Sequence, residues 1–297
     1  MKGGKAVTSS TAISYRSKDT ELRKAIRRFA RRKVAVIGAA LVLVFVAIAL
    51  AAPLLITQDP NDQNLAEILK PPGKEHFLGT DELGRDIWSR VIYGARVSLI
   101  IGIASVLVAI VVGVPLGAIA GYYGGWIDEI MMRVLDVLLA FPGVLLTIVL
   151  VVILGPSLQN VIISVAVYSV PGFARLARGE ALGLRNAEFI EASQALGAPG
   201  WWVIATHVIP NIISPVIVMG TLSVGNNILT AASMGFLGMG VPPDVPEWGA
   251  MLSNGRKYLL VAPHAATIPG LAILLLVLGL NLFGDGLRDI LDPKMRE

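Results

Sequence analysis

Long apolar stretches separated by short polar ones dominate the chain, and six of them reach the length of a membrane helix. About 20 mostly apolar residues cross the roughly 30 Å hydrocarbon core of a bilayer. Val34–Ile56 and Val97–Ala120 are uncharged throughout. Val134–Leu154 carries one acid, Asp136, near its start. Val161–Ala177 is interrupted by Pro171 and Arg175, Ile212–Leu237 contains Asn226 and Asn227, and Ala265–Phe283 is the last. None shows the strict alternation of a barrel strand. The pattern therefore predicts an all-α polytopic membrane protein with six transmembrane helices.

Basic residues favour the cytoplasmic side, and this sets the orientation. The first 33 residues hold 11 of the 25 Lys and Arg; with the N-terminus inside, inner segments hold 18 and outer segments 7. Both termini are expected in the cytoplasm. Lys18–Lys33 reads as a short basic helix on the inner leaflet, with Leu22, Ile26 and Phe29 on one face. The first run starts too late and runs too long for a cleaved signal peptide, although Ala49-Leu50-Ala51 has the form of a cleavage site. The expected organisation is a basic segment (1–33), a first span (34–56), an outer loop (57–96), a five-helix core (97–290) holding an inner loop (178–207), and a tail (291–297). From Asp81 a helical pattern begins, with Leu83, Ile87, Val91 and Ala95 on one face; it runs into the second span and is expected to lie on the outer leaflet or against a partner.

Composition narrows the function. Of 297 residues, 55% are hydrophobic and 15% charged, against about 25% charged in soluble domains, and mean hydropathy is +0.70. With no Cys, disulfides, thiolate metal sites and a Cys nucleophile are excluded. The three His (His76, His207, His264) are scattered, so no metal centre is expected. No phosphate-cradling glycine loop, G-x-S-x-G or H-E-x-x-H is present, so the chain is not expected to be an enzyme. Gly113, Gly117 and Gly121 form a four-residue repeat that lets a neighbouring helix come close. Asp136 is a candidate for a pathway or gate; the alternative is that it reaches the inner interface together with Arg133. Asn226 and Asn227 fit either a polar path or a tie between helices.

The inner loop carries the most information. Asn186–Leu196 reads as a helix with Glu188 near its start, Gly197 as its stop, and Pro199 as the start of a second helix, Gly200–His207. Thirty residues with two helices is more than a tether needs. A rigid knob of this kind is what a cytosolic partner would grip.

These residues resemble a known family. EASQALG followed by HVIPN is similar to the EAA loop of ATP-binding-cassette importer permeases, whose pattern is E-A-A, three residues, G, nine residues, I-x-L-P. Glu191, Ala192, Gly197 and Pro210 match, while Ser193, His207 and Ile209 depart from it. HFLGTDELGRDIWSRVIYGARVSL (76–99), DVLLAFPGVLL (136–146), GFLGMGVPPDVPEWGAMLSNGR (235–256) and NLFGDGLRDILDP (281–293) resemble the dipeptide/oligopeptide/nickel group, and within it the dipeptide permease C or oligopeptide permease C type.

The resemblance covers roughly residues 30–293. It implies a type I ABC importer transmembrane domain in the bacterial cytoplasmic membrane, paired with a second homologous permease subunit in a heterodimer. Two cytosolic ATPase subunits and an external substrate-binding protein would complete the importer, with no nucleic acid involved. No cofactor is implied for this chain; ATP and Mg would be used by the ATPases. Glu188, Glu191, Ala192, Ser193, Gly197, Ala198, Pro199 and Pro210 would form the coupling element. Asp81, Arg85, Trp88, Pro246, Glu247 and Trp248 would face the binding protein. The implied cargo is a di- or oligopeptide. Nickel chelates or glutathione are alternatives, and an ion-coupled secondary transporter is a different class, disfavoured by the scarcity of buried acids.

Overall fold

The computed structural model describes residues 29, 30 and 32–291. Most of the basic helix expected at 18–33, and the tail beyond 291, lie outside the described residues. Ten α-helices follow in order among the described residues: α1 Lys33–Leu55, α2 Ile87–Tyr123, α3 Gly125–Leu139, α4 Gly143–Leu154, α5 Leu158–Leu184, α6 Glu188–Ala195, α7 Gly200–Val203, α8 Ile209–Phe236, α9 Trp248–Gly255 and α10 His264–Leu291. Five continuous helices are long and apolar enough to cross a membrane, and counting the bent α3–α4 pair as one broken span makes six. Six crossings, with that pair taken as one span, return a chain to the side it started from.

Four expectations need correction. The helix expected from Asp81 begins only at Ile87; it runs into the second span as expected, but it does not lie on the surface. Its first turns are buried, with Ile87, Ser89 and Arg90 almost inaccessible. Asp86 caps it, accepting from the Ser89 amide at 2.8 Å. The third span is not straight: α3 and α4 meet at 87° across Ala140–Pro142. Pro142 has no amide hydrogen and disfavours helical backbone at Phe141, so α3 stops and α4 starts afresh. Arg133 does not partner Asp136; it reaches back to Glu129 on its own helix, and Asp136 pairs with Arg175 of α5. Finally, residues 178–184 belong to α5, and the predicted second loop helix is the base of the fifth span. There α7 runs through a wider π turn, Ile204–Val208, into α8. The π turn has a cause in Pro210, whose ring would clash with the Thr206 carbonyl in a tight α-turn. The truly irregular inner loop is short.

The glycine stripe packs as expected. A Cβ on Gly113 would lie 2.8 Å from the Val170 carbonyl, and one on Gly121 2.6 Å from that of Arg178. At Gly117 a Cβ would overlap the Ala174 carbonyl. These three positions let α2 lie backbone to backbone on α5. α2 runs unbroken through Pro115 and α5 through Pro171. Three apolar clusters fill the bundle. One, around Phe173 and Ala177, reaches the cytosolic end; one, around Trp248 and Leu276, joins α1, α2, α9 and α10; the third, around Val165 and Met234, joins α2, α4, α5 and α8.

Candidate coupling site and path-facing surface

At the cytosolic end the chain forms a bent knob. Helix α6 has no side-chain cap, but Glu188 and Glu191 stand in its first turn, where carboxylates offset the exposed amide dipoles. Its C-terminus is closed by a Schellman motif. The Gly197 amide donates to the Gln194 carbonyl at 2.9 Å, and the Ala198 amide to that of Ser193 at 3.1 Å. This geometry places Gly197 at φ +82°, where a side chain is strained, although a Cβ there would meet nothing within 4 Å. Backbone conformation, not crowding, requires the glycine.

One face of α6 is bolted to the membrane core. Ile190 is fully buried in the same cluster as Ala181, Val203, Val208 and Ile212. Gln194 donates to the Tyr122 hydroxyl at the end of α2, at 3.0 Å. The opposite side is open. Glu188, Glu191, Ala192, Gly197 and Pro199 are exposed, as is Pro210 at the base of α8, while Ser193 and Ala198 are half-buried. Leu196, just before the bend, is 88% exposed. Phe189, Trp201 and Trp202 are exposed nearby. The sequence pattern singles out none of these four. A polar cavity of about 490 Å³ opens beside the knob, lined by Glu191, Gln194, Arg185, Asn186, Tyr122 and Tyr123 together with Gly200.

Ser193 and His207, two departures from the EAA pattern, touch each other. The Ser193 hydroxyl lies 3.1 Å from His207 Nε2 and 3.0 Å from the Phe189 carbonyl. Donating to the carbonyl, it accepts from Nε2–H, which assigns the imidazole tautomer. The imidazole also packs edge-on against Trp202 and Phe189. A polar bond here stands where the pattern has an apolar contact.

Two ion pairs join α3 to α5. Asp128 holds Arg178 through two bonds, at 2.5 and 2.6 Å, on a partly buried face. Asp136 meets Arg175 through one bond of 2.6 Å, with both side chains more than half exposed, 56% and 55%. Neither basic partner is assigned by the sequence pattern; they lie 50 and 39 positions away along the chain, beyond the reach of local reading. Asn227 is buried and ties three helices, donating to Ser105 of α2 at 2.9 Å while its carbonyl oxygen accepts from Ser169 of α5 at 3.0 Å. Asn226 is exposed.

The comparisons decide the family. Residues 113–297 match the family described as "Binding-protein-dependent transport system inner membrane component", and residues 20–72 match the "N-terminal TM domain of oligopeptide transport permease C". The chain belongs to this family of inner-membrane transport components. It is 47% identical over 274 residues to the dipeptide transport system permease protein DppC of Alkalihalophilus pseudofirmus, covering 92% of this chain and 90% of that protein. It is 46% identical to the glutathione transport system permease protein GsiD of Pectobacterium atrosepticum, covering 96% of this chain and 95% of that protein. Its fold is shared with a chain of the inward-facing MetNI methionine ABC transporter, at a TM-score of 0.55 and 20% identity over 69% of this chain and 97% of the other. This is a multi-pass inner-membrane permease subunit of an ABC importer, a transport component and not an enzyme.

In this permease the residues expected to meet a binding protein do something else. Asp81, Arg85, Pro246, Glu247 and Trp248 are buried. Asp81 binds Arg85 Nε at 2.7 Å and accepts the Leu83 and Arg85 amides. Trp248 donates to the Val91 carbonyl at 3.0 Å, packs edge-on against Phe45 and covers Gly94, where a Cβ would come within 2.5 Å of its indole. Glu247 accepts the Gly249 and Ala250 amides at 2.8 Å each, and burial pushes its carboxyl up to about 7 against those two bonds. Trp88 is half-buried and donates to the Leu55 carbonyl at 2.9 Å. These side chains tie the outer ends of α1, α2 and α9 together. Beside them, Phe77 and the tip Leu259–Val261 face outward.

Proposed function

We propose that this permease carries di- or oligopeptides inward, and that α6 with its Gly197 bend is the coupling element seated in a cytosolic ATPase subunit. One observation carries the coupling: α6 is rigidly joined to the spanning helices through buried Ile190, while Leu196 projects from its far side. A force applied to the projecting side is transmitted to α2, α5 and α8. Leu196 is the apolar anchor of the docked surface, and Glu191 lines the polar cavity that a basic ATPase side chain enters.

The working assembly contains this chain, a second and different permease subunit, two ATPases that use ATP and Mg, and an external binding protein. ATP binds one arrangement of the ATPases better than the other, and the knob passes that bias to the membrane helices. Peptide cargo is supported by the names of the dipeptide and glutathione relatives, glutathione being itself a small peptide. Uptake of labelled dipeptides, longer peptides and glutathione by a strain lacking the gene, with and without the restored chain, tests the cargo. Restored uptake of peptides supports it; restored uptake of a nickel chelate alone overturns it.

A further inference from the structure

The break between α3 and α4 and the ion pair beneath it share a surface, and that surface cannot face lipid. Gly143, first residue of α4, lies against the Tyr168 ring. Tyr168 is ten residues into α5, about 15 Å from its outer end, so the break sits at bilayer depth. Ala140, Phe141 and Pro142 are exposed, Phe141 at 56%. Irregular backbone at this depth is tolerated only inside protein or against water. One turn back along α3, Asp136 meets Arg175, which lies seven residues past Tyr168 on α5 and about 10 Å nearer its cytosolic end; both are exposed, and charged side chains within a span likewise avoid hydrocarbon. On the same face of α5, a Cβ at Gly179 or Gly183 would meet nothing within 4 Å.

Chemistry then points to an occupant. The pair makes a single bond, from Arg175 Nη2 to Asp136 Oδ1. Among the described residues the other carboxylate oxygen and the rest of the guanidinium have no partner. An exposed anion and an exposed cation side by side, joined by a single bond, match the ammonium and carboxylate ends of a zwitterion. The Asp128–Arg178 pair, closed by two bonds, offers no such capacity. We propose that Asp136 and Arg175 line the translocation path and bind the two charged ends of a small peptide, the ammonium on Asp136 and the carboxylate on Arg175. The ends of an extended dipeptide lie about 7 Å apart, so the pair opens to receive them and one ion pair is exchanged for two. This rests on the peptide reading of the cargo.

The chain has no Cys, so Phe141→Cys in the assembled transporter, with native cysteines of the other subunits removed, reports on this surface alone. A hydrophilic methanethiosulfonate reagent is expected to modify it, and dialanine to slow that modification at least fivefold, whereas N-acetyl-dialanine amide does not. No modification would mean that lipid or a neighbouring subunit covers the face, and would overturn the proposal. Equal protection by the capped peptide would overturn the charge reading. Asp136→Asn and Arg175→Gln keep side-chain size; each is expected to abolish the distinction between free and capped peptide and to lower dialanine uptake about tenfold, the effect of one lost charge-assisted bond. Unchanged discrimination in both variants would overturn the assignment. ATP-driven uptake measured alongside separates the two readings: if it persists while protection fails, only this site falls, and if peptide uptake itself is absent, the cargo reading falls.

Discussion

The two ends of the bundle invert the usual arrangement in opposite ways. At the outer end, charged side chains turn inward: Asp81, Arg85, Asp86, Arg90 and Glu247 are all buried. At the cytosolic end, apolar side chains turn outward: Leu196, Trp201 and Phe189 face solvent. Apart from Arg90 Nε, the buried outer charges find their partners within the chain. His76 sits between Asp86 at 2.9 Å and Glu67 at 3.1 Å, and Arg90 donates to the Pro60 carbonyl at 2.7 Å. Little is left over for a partner. At the inner end the apolar surface is left unsatisfied by this chain, as a docking face requires. The outer end is a clamp, and the inner end is the lever of the proposed coupling.

The contrast is sharpest at Trp248. Trp248→Ala opens a cavity among α1, α2 and α9 and is expected to cost about 3–5 kcal/mol, read as a large fall in the melting temperature of the purified permease. Gly197→Ile comes next. A β-branched residue held at φ +82° is expected to cost about 2 kcal/mol locally, to leave the chain in the membrane, and to separate ATP hydrolysis from transport; wild-type uptake by a well-folded variant would break the lever. Ser193→Ala and His207→Leu, made singly and together, are expected to show a coupling of about 0.5–1.5 kcal/mol in thermal melts; strict additivity would remove the Ser193–His207 bond from the knob.

The smallest effect concerns pH. Burial opposes the charge on His76, but the bonds to Asp86 and Glu67 outweigh it and raise its pKa above the usual 6.5. A raised value favours the protonated form in the folded state. The stabilisation is therefore full below about 6.5 and is lost as pH rises through the higher folded value. Amide exchange in residues 64–86 is expected to be severalfold faster at pH 9 than at pH 6 after correction for intrinsic rates, and His76→Gln to remove the difference. No change with pH would show that the clamp does not depend on that proton.

Spans and knob are legible in the sequence because each is a local signal. Uncharged runs such as Val34–Ile56 and Val97–Ala120 declare themselves, and the spacing from Glu191 to Gly197 to Pro210 fixes a bend and a helix base. The broken third span is not legible. Pro142 ends a helix, yet Pro53, Pro115, Pro171, Pro215 and Pro269 all lie inside continuous ones, so the residue alone cannot tell break from passage. Arg175 and Pro171 weaken the fourth span on hydropathy alone, yet Arg175 is the partner of Asp136. The outer acids and bases have the pattern of surface residues because they are polar; only tertiary pairing shows that they are consumed internally.

A single Cys at position 196 tests the lever most directly. In inside-out vesicles holding the permease pair alone, Leu196→Cys is expected to react rapidly with a membrane-impermeant maleimide, and adding the ATPase subunits is expected to protect it at least tenfold and to yield a crosslink to them with a short bifunctional reagent. Equal reactivity with and without ATPases, or modification only from the outer side of right-side-out vesicles, would contradict the account.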